Sequence, residues 1–399
     1  MAVASPYTEK TDEQKAITEM VRQFVDNEVL PIAEEHDHED KFPDAVVDQM
    51  KDLGLFGVTI PEEYGGMGLD LTTYAMIVEE LSRGWISVSG IVNTHFIGSY
   101  LLMKFGTDEQ RQEFLPRMAT GEIRAAFSLS EPEVGSDVQG IKATAKKSDD
   151  GYWLLNGQKM WVTNGLRSAI VFVLVKTNLK ADPPHRGMTC FITEKTPGAH
   201  ENDGLTVPPQ IKKLGYKGVE STELVYDGYV CAPDRILGGE EAGLNMGFGQ
   251  MMDALEVGRV NVAARGVGIA QRALELALRY SQQRKTFGKP IAAHQAIQFK
   301  LADMATKTEA ARLLTLKAAR LKDAGERSDL EAGMAKLFAS EIGKEVVEDS
   351  FRIHGGYGYS KEYEIERLYR DAPLLLIGEG TSEIQRIVIG KKLLERHKV

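Results

Sequence analysis

Cysteine is nearly absent: Cys190 and Cys231 are the only two in 399 residues, and they form no CxxC spacing. A disulfide framework and a cysteine-based structural zinc site are both excluded. The chain also lacks a basic excess. Its 48 Lys and Arg against 58 Asp and Glu leave a formal charge of −10. Generic nucleic-acid binding is disfavoured, although a local basic pocket for an anionic ligand stays open. No GxxxxGK[ST] loop and no strand-following GxGxxG occurs, which removes P-loop and Rossmann nucleotide sites. HExxH, EF-hand and GxSxG patterns are missing, and with them most metalloenzyme and hydrolase readings. The close histidine pair, His36 and His38, sits among Glu34, Glu35, Asp37, Glu39 and Asp40. That setting reads as a solvated helix end rather than a metal site.

Residues 1–12 contain no apolar run and already carry Glu9 and Asp12, against a signal or transit peptide. The expectation is a bacterial cytoplasmic protein. Trp85 to Met103 has no Asp, Glu, Lys or Arg, a near-spanning length. It also holds Ser87, Ser89, Asn93, Thr94, His95 and Ser99, each costly in hydrocarbon, so it reads as a helix buried in the fold with no membrane span.

What is present is ample apolar content, 43%, enough for packed cores in two to four domains. The fold class expected is mainly α with a central β-domain. A helical zone over 1–123 opens with TDEQ at Thr11 and again at Thr107, both capping-box starts. Ile17, Met20, Val21 and Phe24 fall on one helix face. From 124 to 238 short β-branched and aromatic runs alternate with Gly, Asn, Asp and Pro: 153–156, 159–163, 169–175, 188–193 and 222–226. These suggest a small barrel or sandwich. From 239 to 399 the helical period returns over 242–284, 291–325, 329–353 (capped by Ser328) and 382–396. Long apolar helices there suggest an oligomer with helix-on-helix contacts.

Three patches carry chemistry. The loop Phe127–Asp137 offers hydroxyls and open backbone before a strand, with Trp161 and Thr163 following; it suits a polar heterocycle or phosphate, or is an ordinary turn. Arg284, Thr286, Phe287 and Lys289 end a long helix, where cations complement the macrodipole and can also fork around a pyrophosphate. The third is HGGYGY (354–359) with GEGTSEIQR (378–386). Glu379, between two glycines after Leu374–Ile377, is a loop carboxylate near a helix N-terminus. Alternatively it is a base whose pKa is raised by apolar surroundings.

Taken in order, SEPEVGSD (130–137), WVTNG (161–165), RKTFGKP (284–290), HGGYGY and GEGTSEIQR resemble the acyl-CoA dehydrogenase family. The resemblance runs from about Thr11 to the C-terminus. It implies an N-terminal helical domain, a middle β-domain and a C-terminal four-helix bundle, with FAD as cofactor and a homotetramer. By motif, Phe127, Leu129, Ser130, Gly135, Ser136, Trp161, Val162 and Thr163 correspond to flavin-binding positions. Arg284, Thr286, Phe287, Gln295, Arg352, Gly355 and Gly356 correspond to contacts with a neighbouring subunit's FAD, and Thr381 and Glu383 complete the site. Ser136, Glu256, Arg259 and Gly380 match acyl-CoA contacts, Arg259 as cationic anchor. Glu379 matches the catalytic base of α,β-dehydrogenation, with electrons passing on to an electron-transferring flavoprotein.

Some relatives place the base just before the Arg259-type arginine; here that residue is Gly258, so Glu379 alone can serve. Glu256 stands where Asp is common, and Arg352 where Gln is. The residue before the base is often Tyr and here is Gly378, which opens the pocket to branched or bulky acyl groups of short or medium length. The competing readings are an acyl-CoA oxidase, a nitroalkane-oxidase- or monooxygenase-like flavoenzyme, and a non-catalytic CoA-binding module.

Overall fold

Residues 10–398 are described by a computed structural model; of the stretch 1–12 read against a signal or transit peptide, 1–9 lie outside the described residues. The first third runs α1 (Asp12–Phe24), α2 (Leu30–Glu39), α3 (Asp44–Asp52), α4 (Leu71–Gly84), α5 (Ile86–Phe105) and α6 (Asp108–Ala119). Both capping boxes form: Thr11 and Thr107 accept the N–H of Gln14 and Gln110, whose side chains accept the threonine N–H in return. Among the described residues α5 is the one helix long and apolar enough to cross a membrane, and 89% of that stretch is buried inside the fold. Its hydroxyls bond helix carbonyls and neighbours, as Ser99 donating to Phe96 O does.

The end of α2 is packed, contrary to the solvated expectation. Asp37 is fully buried, Arg370 donates to it at 2.6 Å, and His38 meets Glu366 at 2.8 Å. Asp37 faces an arginine from the far end of the chain, which sequence separation conceals, while Glu34, Glu35 and Glu39 are exposed as expected.

Next come β1 (Ala125–Ser128), β2 (Thr144–Lys147), β3 (Trp153–Thr163), β4 (Ile170–Lys176), β5 (Met188–Glu194), β6 (Glu201–Asn202), β7 (Leu205–Thr206) and β8 (Ser221–Cys231). They form one curled eight-stranded sheet in the order β1-β4-β2-β3-β8-β7-β6, with β5 on the other side of β4. The curl encloses its own core of Trp153, Leu155, Val171, Val173, Phe191 and Tyr226. The runs 153–156 and 159–163, expected as two strands, are one. Gly157, at φ +136, lets Ala143 come against the backbone where a Cβ would stand, so the strand bends without ending.

The last third holds α7 (Gly239–Gly243), α8 (Gly247–Gln283), the hairpin β9 (Lys285–Thr286) and β10 (Lys289–Pro290), α9 (Gln295–Asp323) and α10 (Asp329–His354). It closes with α11 (Ile365–Asp371), α12 (Pro373–Ile377) and α13 (Ser382–Arg396). The long helix expected from 242 breaks before α8. Asn245 takes φ +64 with its N–H on Thr189 Oγ1, and Gly247 lies against β5 with no room for a Cβ. Ser328 does not cap α10; its hydroxyl donates to Glu256 instead. Helix α8 is the axis of the molecule, with α10, α9, α4 and α5 packed around it.

Candidate active site

The turn between α12 and α13 places Glu379. Its backbone sits at φ +53, and Gly380 follows at φ +89. A left-handed glutamate costs roughly 1–2 kcal/mol, so the surroundings must hold it there. Gln385, fully buried, donates to the carbonyls of Glu379 and Gly380 at 3.3 and 3.1 Å. Lys336 on α10 reaches the Gly380 carbonyl at 2.7 Å. Thr381 caps α13 by accepting the Ile384 N–H.

The Glu379 side chain points into the seam between α5 and α8. Oε1 accepts a hydrogen bond from Asn93 at 2.5 Å, while Oε2 is buried with no partner. Gly258 explains the fit: a Cβ there would lie 2.2 Å from Oε2 and 3.2 Å from Ile97. Burial raises the pKa of Glu379, against the Asn93 hydrogen bond and the charges of Arg265, Lys336 and Arg259, which lower it. The carboxyl is thereby suited to take a proton in a dry pocket. Its backbone N–H has no acceptor among the described residues, leaving a donor beside the carboxylate.

Next to Gly258 in the chain, Arg259 has a buried, unpartnered Nε and no ion pair among the described residues. Burial lowers its pKa, against Glu256, Glu379 and Asp329. Glu256 is engaged elsewhere: it accepts from Ser328 at 3.0 Å and faces Lys322 at 3.7 Å. Of the expected acyl-CoA positions, Arg259 and Gly380 lie beside Glu379, whereas Ser136 is exposed on the β-domain loop.

That loop is built on an ion pair not foreseen from sequence. Glu131 accepts the N–H groups of Lys142 and Ala143 and the ammonium of Lys159 at 2.9 Å. Lys159 is fully buried and donates also to Leu129 O. A lysine inside the apolar alternation of β3 was the available signal. The pair holds Phe127, Leu129 and Ser130 against β3, where Met160 N–H bonds Ser130 O. Trp161 takes φ +64, turning its ring out of the strand alternation, and is 56% exposed; Val162 is buried and Thr163 half-buried. Ser128 Oγ is buried without a partner, and Gly135 faces open space. An exposed indole face, hydroxyls and open backbone are what a flat ring on a polyol chain requires, so these residues fit FAD.

The remaining predicted residues gather on another face. Arg284 lies over the Tyr357 ring at 5.6 Å, and Tyr280 stacks on His354 at 4.4 Å. The RKTFGKP and HGGYGY segments are therefore neighbours. Phe287 is 95% exposed, Gln295 is exposed, and Gly355 and Gly356 meet nothing within 4 Å. Arg352 pairs with Glu348 at 2.6 Å, and Glu383 is exposed in the first turn of α13. Among the described residues none of these hydrogen-bonds or pairs with Glu379 or Trp161. Asn93, Tyr216, Arg265 and Lys336, which do surround the base, were not singled out beforehand.

Family models of the acyl-CoA dehydrogenase N-terminal, middle and C-terminal domains match residues 11–122, 126–229 and 245–394. An acyl-CoA dehydrogenase of Bacillus subtilis (strain 168) is 42% identical over 96% of this chain and 98% of its own. The solved butyryl-CoA dehydrogenase of Megasphaera elsdenii superimposes with a TM-score of 0.90 at 36% identity, covering 97% of this chain and 99% of that one. A chain from a structure described as electron transferring flavoprotein of Acidaminococcus fermentans has the same TM-score, identity and coverage.

Proposed function

The chain belongs to the acyl-CoA dehydrogenase family, and from that membership we propose that it dehydrogenates an acyl-CoA thioester between the α- and β-carbons, with Glu379 as base. It is an oxidoreductase with FAD as cofactor. FAD, when bound, accepts the two electrons and the hydrogen that leave the β-carbon. The observation that carries the reading is Glu379 itself: a buried carboxylate with one free oxygen, held in a left-handed turn and given room by Gly258.

The α-proton of a thioester is far too weakly acidic for a free carboxylate. Three features of this chain narrow the gap. Burial raises the basicity of Glu379. Its free N–H is available to the thioester oxygen where negative charge develops. The seam between α5 and α8 is lined by Ile97 and Val262 and keeps water out. Arg259, with its unpartnered Nε, suits the phosphates or amides of the CoA portion. Phe127, Leu129, Ser130, Gly135, Ser136, Trp161, Val162 and Thr163 would hold FAD, with Thr381 and Glu383 closing the site. Arg284, Thr286, Phe287, Gln295, Arg352, Gly355 and Gly356 would serve the FAD of a second subunit. The exposed Phe287, Phe299, Ile387 and Leu394 on the helical domain support a homotetramer. An electron-transferring flavoprotein is the proposed acceptor, supported by the structural neighbour described above.

Gly378 precedes the base, and a Cβ there would meet Leu374 O at 3.4 Å, ordinary contact. A side chain would fit, and its absence leaves space beside the base for branched acyl groups. Anaerobic addition of an acyl-CoA panel to the FAD-loaded protein tests the reading. Expected are flavin bleaching and turnover of branched acyl groups. Rapid oxygen uptake when the reduced protein is aerated would mark an oxidase, missing flavin a binding module, and strict preference for straight chains would contradict the role given to Gly378.

A further inference from the structure

Arg265 is a buried guanidinium, 4% exposed, with no carboxylate at ion-pair distance among the described residues. Its Nε and Nη2 are buried and unpartnered. Tyr216 is a close neighbour: its ring lies 4.9 Å from the guanidinium carbon and its hydroxyl is held between Arg265 and Thr163. An unpaired buried charge is among the costliest groups a fold can hold. Something outside the chain must complete it.

The place of Arg265 says what. On α8, Gly258, Asn261, Val262 and Arg265 share one face, and on α5, Gly90, Asn93 and Ile97 share another. Contacts show that these faces meet. Gly258 abuts Glu379 Oε2 and Ile97, Asn93 holds Glu379 Oε1, and Gly90 lies under the Tyr216 hydroxyl, 1.9 Å from where its Cβ would be. One slot therefore has Glu379 at one end and Tyr216 with Arg265 at the other. Seven residues of helix separate Gly258 from Arg265, about 10 Å, and a helical side chain leans back toward the N-terminus, here toward Glu379. That spacing matches an acyl chain of only a few carbons. Between the two ends Asn261 donates to Tyr74, and Asn93 stays on Glu379. A fatty tail would leave the Arg265 N–H groups unpaired, whereas a carboxylate accepts from them.

We propose that the acyl group taken by this slot is short and ends in a carboxylate, which Arg265 grips through its fork of N–H groups while Glu379 works on the α-carbon. The proposal rests on Glu379 as base, and deepens that reading by naming the acyl class. A planar guanidinium matches a carboxylate through two parallel hydrogen bonds. Tyr216, in the left-handed region at φ +55, is held on the slot by its backbone N–H, which donates to Asp371 at 2.6 Å.

The test uses FAD-loaded protein and two five-carbon thioesters, glutaryl-CoA with its terminal carboxylate and pentanoyl-CoA with a methyl end. Rates of anaerobic flavin reduction give kcat/KM for each, and titration of the Glu379→Gln protein gives the dissociation constants without turnover. Glutaryl-CoA is expected to be preferred at least tenfold in both measures. Arg265→Gln should erase that preference, and Arg265→Lys should restore part of it. Preference for pentanoyl-CoA, or an equal loss for both thioesters in Arg265→Gln, overturns the proposal, the latter placing Arg265 in folding or beside the flavin. If neither thioester reduces the flavin, the base reading fails; a tenfold binding preference for glutaryl-CoA would still support the Arg265 assignment, and its absence would end it.

Discussion

Around Glu379 the decisive contacts are made by single side chains. Asn93 donates to Oε1 and favours the charged carboxylate, while burial opposes it and prevails. Because proton removal needs the carboxylate, flavin reduction by substrate should rise with pH through the raised pKa of Glu379. Asn93→Ala removes a hydrogen bond that lowers that pKa, so the rising limb should move to higher pH. A limb that stays in place would show that the contact does not persist with substrate bound. Glu379 was legible in the sequence because a glutamate flanked by two glycines after an apolar run is a local anomaly. Asn93, Arg265 and Lys336 were not. Each is an ordinary residue in a helical pattern, and Asn93 acquires its meaning only through a partner 286 positions away.

At the level of elements, the base is positioned by a turn clamped between two helices. Lys336 from α10 and Gln385 from α13 both donate to the Gly380 carbonyl. Lys336 is fully buried, and burial lowers its pKa to about 8. Lys336→Met should loosen the turn and lower kcat by roughly 10- to 100-fold, the equivalent of about 1.5–3 kcal/mol for a charged hydrogen bond. Flavin content should fall far less than kcat, since of the proposed FAD residues only Thr381 and Glu383 adjoin this turn. A kcat within twofold of the parent would mean that the turn needs no such clamp. Helix starts at Thr11 and Thr107 could be read because a capping box is complete within four residues. Strands β1 and β2 escaped because they are four residues long and owe their pairing to β4 and β3, not to their own pattern. The broken start of α8 escaped for the same reason: Asn245 turns toward Thr189 on a distant strand.

The whole molecule brings three parts of the chain to one carboxylate. Helix α5 supplies Asn93, helix α8 supplies Gly258, and the turn after α12 supplies the base. Asn164, at the end of β3, fastens the sheet to α5 by donating to Ile91 O and Thr94 Oγ1. The loop that carries Tyr216 is tied to both helical zones, its Gly218 N–H on Asp40 and its Tyr216 N–H on Asp371. The order of helices, sheet and helices was legible from periodicity. The convergence was not, since it depends on how separate layers pack. The claim on which the account depends is tested by single-turnover flavin reduction in Glu379→Gln, loaded with FAD and saturated with an acyl-CoA under anaerobic conditions. The account predicts normal yellow protein, intact ligand binding and reduction slowed by at least about a thousandfold. Reduction at the parent rate would contradict it.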